Sequence, residues 1–196
     1  MKKLTHKTIV HSLAFCAALL LCNCDSVTTT YPLTTEPKAI DKEKFEGTWL
    51  TDDEGGVLQV KFADNGIAHI AGVEWKDDHF EIGKMEMTIV EGKEHNFISI
   101  RGQEDHGWPD QYFFLPYKFS DQGYLILWLP DSDSFKKAIG EKLLKGTIKK
   151  GKYSTEINIT SDAAELIKVI NDPDNSQLFN YKNPMILRKP ARAGKK

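Results

Sequence analysis

The chain has 196 residues, 40% of them hydrophobic and 28% charged, with 26 basic against 28 acidic side chains and a net charge of −2. That length and apolar content suffice for one packed domain, and the slightly acidic balance speaks against nucleic-acid binding. The three cysteines, Cys16, Cys22 and Cys24, all lie near the N-terminus, so neither a disulfide framework nor a paired-cysteine metal site is expected in the body of the chain.

Residues 1–23 have the parts of an export signal. Lys2, Lys3 and Lys7 precede an apolar run from Ile9 to Leu21, broken only by His11 and Ser12. The run is shorter than the roughly 20 apolar residues that cross a bilayer, so it predicts a segment that targets the chain and is removed. Leu21-Cys22-Asn23-Cys24 resembles a bacterial lipobox, with Leu21 three positions before Cys24. The resemblance implies cleavage before Cys24, acylation of that cysteine, and a lipid-anchored protein of the bacterial cell envelope facing the periplasm or the exterior. Two or more acyl chains would make the attachment stable, since each buried CH2 contributes about 0.8 kcal/mol and one chain alone is marginal. Asp25 resembles the residue that retains some lipoproteins at the inner membrane, and the choice of membrane stays open.

Residues 24–39 are rich in Thr and Pro and carry no apolar periodicity, which predicts a lipidated flexible linker, with the folded domain over 40–190. From residue 45 the hydrophobic period is mostly two, interrupted by turn residues, which predicts strands. They fall over 45–51, around 58–62, over 67–75, 80–90, 96–101, 111–120, 124–129, 142–149, 153–160 and 185–188. Asp64-Asn65-Gly66 and Lys150-Gly151 mark tight hairpins. Two short helices are expected, at 133–139 and 162–170, the second opened by Asp162-x-x-Glu165 as a capping box and stopped at Asn171-Asp172-Pro173. Residues 191–196 read as a basic disordered tail; the stretch 188–196 carries five positive charges and no acid. The expected fold is all-β, an antiparallel barrel of about eight to ten strands with one or two short helices, or alternatively a β-sandwich.

Gly47-Thr48-Trp49 at the start of the first barrel strand resembles the Gly-x-Trp motif of the lipocalin and calycin families. The resemblance implies an eight-stranded barrel in which a late arginine, matched here by Arg188, packs across Trp49. It also implies an apolar small molecule held inside the barrel. The apolar face expected to line it comprises Ile67, Ala71, Val73 and Trp75, with His69 among them as a possible ligand contact.

The stretch 101–111 (RGQEDHGWPDQ) gathers Glu104, Asp105, His106 and Trp108 between two apolar strands. Acids, a base and an aromatic platform in one excursion suit a binding rim for an extracytoplasmic protein partner, as in an enzyme-inhibitor module; a plain polar hairpin loop reads the same way. Glu104 or Asp105 with His106 could also serve a hydrolase, a minor alternative. No His-x-His or His-x-x-x-His spacing, nucleophile elbow or phosphate-cradling glycine loop occurs in the mature chain. The sequence therefore predicts a membrane-anchored binding protein rather than an enzyme, with no cofactor, no metal and no nucleic-acid partner.

Overall fold

The computed structural model describes residues 25–51, 56–76, 79–102 and 110–190. Eight antiparallel strands close into a barrel, in the order β11-β2-β3-β4-β5-β6-β7-β8. They are β2 (Gly47–Thr51), β3 (Val57–Phe62), β4 (Ala68–Lys76), β5 (His79–Val90), β6 (Asn96–Gly102), β7 (Phe113–Phe119), β8 (Leu125–Leu127) and β11 (Met185–Arg188). Seven of them follow one another up and down, and β11 closes the sheet between β8 and β2. Closure leaves no edge strand, which is how a sheet of this length avoids exposing unpaired backbone. The fold is thus the barrel and not the sandwich.

The inward face of the barrel differs from the expected one. Leu58, Val60 and Phe62 of β3 are buried and pair with Gly72, Ile70 and Ala68 of β4, which face inward with them. Ile67, His69, Ala71 and Val73 lie on the opposite face, because successive side chains of a strand alternate. Of the inward-facing residues of β4, Ala68 and Gly72 are small, and at Gly72 the reason is steric. A Cβ on Gly72 would stand 3.2 Å from the Leu58 side chain, so the narrow barrel takes small residues where β3 already fills it.

One end of the barrel is stoppered by the short helix α1 (Lys42–Phe45). Phe45 enters the core and meets Tyr117 and Phe119 edge-on, with ring centroids 5.0 and 4.9 Å away. The buried Tyr117 hydroxyl donates to Asp41 Oδ2 at 3.0 Å, tying the start of α1 to the wall. Burial, first of all, pushes the Tyr117 phenol well above its usual range, so it stays a neutral donor.

Between β8 and β11 the chain makes an excursion that builds a second layer. It contains α2 (Ser132–Gly140), β9 (Gly146–Lys150), β10 (Thr155–Ile159), α3 (Ala163–Ile170) and a 3-10 segment (Pro173–Leu178). Its two ends are pinned together, Asp131 N donating to Leu178 O and Asn180 N to Leu129 O. The second helix is capped as expected, Asp162 accepting from Glu165 N, and the first starts at Ser132 with Asp131 accepting from Ser134 N, each at 2.8 Å. The Glu165 carboxylate turns to Lys145. The predicted hairpin over Lys150-Gly151 forms, but in a separate three-stranded sheet, β1-β10-β9, outside the barrel.

The third strand of that sheet, β1 (Ser26–Thr29), corrects the expected linker. It pairs in parallel with β10, and Val27 and Leu33 are 5% and 1% exposed. Thr and Val are β-branched and suit a pleated surface, so the threonines that read as a polar tether are strand residues here. The folded part thus already includes Ser26–Thr29, ahead of the expected start at Ile40. Its second core, with Phe114, Phe135, Ile157, Ile159 and Leu166, lies against the outer face of β6 and β7.

Candidate functional site

Within the barrel the described residues leave a cavity of about 50 Å³, with a wholly apolar lining that includes Trp49, Met85, Met87 and Met185. An apolar cavity of ~150 Å³ takes up benzene, and drug-sized ligands occupy roughly 300–1,000 Å³. Side chains thus fill this barrel, leaving space for no more than a few atoms.

The Gly-x-Trp residues close the barrel at its base. Gly47 has φ +118°, a region that side chains avoid, and Trp49 is 1% exposed, its indole N–H donating to Phe45 O at 2.7 Å. The cation over the Trp49 ring is Lys189, with Nζ 5.0 Å from the ring and 2.8 Å from Glu46 O. Arg188, expected in that role, lies on the exposed face of β11 opposite Leu50. Leu187 points inward, so its successor must point out and the residue after that returns over the base.

His69 is exposed, its Nδ1 3.8 Å from Glu86 Oε1, and does not reach the interior. Trp75 lies on β4 with its backbone opposite Phe80. Cys24, Glu104, Asp105, His106 and Trp108 lie outside the described residues, as does the tail 191–196. Near the loop's flanks, Arg101 pairs with Asp110 at 2.7 Å. Among the described residues no group of three or more His, Cys, Asp or Glu side chains is disposed to hold a metal ion. No helix among them is long and apolar enough to cross a membrane.

A larger concavity opens where the β5–β6 turn meets the excursion. This cleft of about 390 Å³ is lined by Glu94, His95, Phe97, Ile170, Asn171, Asp172, Pro173, Ser176 and Tyr181. Its aromatic wall is a triangle: the His95 ring lies 5.2 Å from Trp128 and 5.1 Å from Tyr181, and these two are 5.2 Å apart. Phe97 backs it against Phe179. Opposite stand the polar groups that end α3. The Asn171 amide oxygen accepts from Lys93 N at 2.9 Å and ties the turn to the helix.

Two features of the turn hold this geometry. A Cβ on Gly92 would come within 2.0 Å of His95 O and 2.6 Å of Asn171 Oδ1, so only glycine lets the turn close on the helix end. The Asn96 side chain accepts from Gly92 N. Burial holds the His95 imidazole below its ordinary pKa of 6.5 despite the opposing charge of Glu94. Burial likewise raises the Tyr181 phenol. At neutral pH the wall is therefore uncharged, and the acidic residues lining the cleft are Glu94 and Asp172.

The sequence singled out none of this as a site. His95 stands in a turn, Asn171-Asp172-Pro173 reads as a helix stop, and Tyr181 follows in an unremarked connection. They meet only because the excursion folds back over the barrel. Gly92 was the one local signal, and a glycine in a turn has many other uses.

Compared with protein-family models, curated proteins and solved structures, the chain matches none.

Proposed function

We propose that this protein is a lipid-anchored binding protein of the bacterial cell envelope, and that its ligand sits in the cleft beside His95 and Tyr181 rather than inside the barrel. The observation that carries this reading is the contrast in room: about 390 Å³ in the cleft against about 50 Å³ in the barrel. A closed barrel with a packed interior is a rigid support, compatible with binding without chemistry. The resemblance to lipocalins and calycins then lies in the Gly-x-Trp base, and the proposed binding site is on the outer wall.

The lining indicates the ligand's chemistry. Rings of His95 and Tyr181 offer a flat apolar surface, while Glu94 and Asp172 supply negative charge, and the described residues that line the cleft include no lysine or arginine. A small organic molecule with an apolar body and a cationic head is complementary to both, because a cation is attracted to aromatic faces and to carboxylates alike. A ligand of this kind is amphiphilic and so differs, in chemistry and in place, from the apolar small molecule expected inside the barrel.

Benzyltrimethylammonium is a suitable probe, having one ring and a fixed positive charge. Titrated against the full chain and followed by chemical-shift or fluorescence changes at Trp128, it should bind saturably. Tyr181→Ala and Asp172→Asn should each weaken it by about three- to tenfold, the range of a partly exposed cation–π or charge contact. Binding that both variants leave unchanged places the ligand elsewhere.

A further inference from the structure

We propose that the β9–β10 hairpin tip is a membrane-contact surface for anionic phospholipid headgroups, holding the domain flat against the bilayer that anchors it. The inference rests on the acylation of Cys24 and adds to it a second point of attachment. Its starting observation is the fixing of Asp25, the residue that follows Cys24. One carboxylate oxygen of Asp25 accepts from Thr155 N at 2.8 Å. The other accepts from Ser132 Oγ at 3.1 Å and pairs with Lys136. The next residue, Ser26, already pairs with Glu156 in the sheet. Cys24 therefore directly precedes a residue, Asp25, that is held at Thr155, the first residue of β10.

What stands at that place is the hairpin itself. Lys149, Lys150, Lys152 and Tyr153 are exposed, Tyr153 by 66%, and Lys152 Nζ lies 4.7 Å over the Tyr153 ring. Ile148, on the same strand, is 40% exposed. Lys149 leans towards Glu156, 3.4 Å away, while Lys150 and Lys152 extend the positive charge of the tip. Basic side chains beside an exposed tyrosine match the chemistry of an anionic lipid surface, where lysines take phosphates and tyrosine rings sit at headgroup level. The net acidic remainder of the chain is repelled by the same surface, which orients the molecule with this tip down. Lysines also guard open sheet edges against pairing, and β9 is such an edge. The experiment separates the two roles.

The test uses the full-length protein produced with its lipid and reconstituted in vesicles of phosphatidylcholine with or without phosphatidylglycerol. A Ser154→Cys variant is labelled with an environment-sensitive fluorophore, and Tyr124→Cys in the β7–β8 turn serves as the control. With phosphatidylglycerol present, the label at 154 should shift to the blue and be quenched by nitroxide-bearing lipids, and the control label should not. Combining Lys149→Glu, Lys150→Glu and Lys152→Glu should abolish the shift and the quenching while circular dichroism stays unchanged. An intact mass without added diacylglycerol overturns the anchor, and this inference with it. An acylated protein whose label at 154 stays in water, or is quenched regardless of the three lysines, overturns the contact surface alone.

Discussion

Trp49 shows how a single side chain can be legible in a sequence while its partner is not. Its spacing from Gly47 marks the barrel base, but the covering cation is Lys189 and not Arg188. The difference is one residue of strand parity, decided by Leu187 pointing inward, which no local pattern reveals. Lys189→Ala should lower stability by about 0.5–1 kcal/mol in denaturant unfolding, since the contact is exposed. Asp25 is a sharper case. Its carboxylate is held down to about 2, chiefly by Lys136, with further hydrogen bonds from Thr155 and Ser132. In the unfolded chain it titrates near 3.8. A depressed carboxylate contributes stability that is complete above the unfolded value and is lost as pH falls towards about 2. Asp25→Asn should therefore cost about 1 kcal/mol at neutral pH, and the gap to the wild type should close between pH 4 and 2 in acid unfolding curves. His95 has the matching sign for a base. Its native pKa lies below 6.5 because burial disfavours the charged ring, so the unfolded chain binds the extra proton first. Stability should fall as pH drops below 6.5 towards the native value, and His95→Gln should flatten that part of the profile.

At the scale of elements, the barrel strands were readable because one face is buried and the period of two survives in the sequence. The turn Asp64-Asn65-Gly66, the Asp162 cap and β11 appear where the residues place them. Parity in β4 was misread because Val73 and the preceding Ile67 suggest an apolar face at the odd positions, whereas Ala68, Ile70 and Gly72 are the buried residues, Gly72 leaving room for the Leu58 side chain. β1 was missed for another reason. A four-residue strand whose partner, β10, lies about 130 residues later has no local signature, and its threonines resemble those of a linker. The consequence is testable. A chain shortened to begin at Ile40 loses Val27 and Leu33 from the second core and uncovers one edge of β10. Burying two such side chains contributes about 3–5 kcal/mol, so the shortened chain should show a correspondingly lower midpoint in urea than the chain beginning at Asp25.

As a whole molecule, the protein is a barrel wall with a core on each side. Strands β6 and β7 send Ile98 and Leu115 inward and Phe97 and Phe114 outward, so the excursion packs on the barrel as a second layer. The cleft lies in the seam between the two. Residues distant in the sequence, such as Lys93 and Asn171, 78 positions apart, come together there only through this packing, which is why the site could not be read beforehand. The measurement that tests the central claim most directly is native mass spectrometry of the full chain purified gently from its own host. The wild type should carry a small organic ligand that is absent from the His95→Ala and Tyr181→Ala variants, both still folded. A ligand retained in full by both variants, or a wild type that neither copurifies with nor takes up an aromatic cation, would contradict a binding site in the cleft.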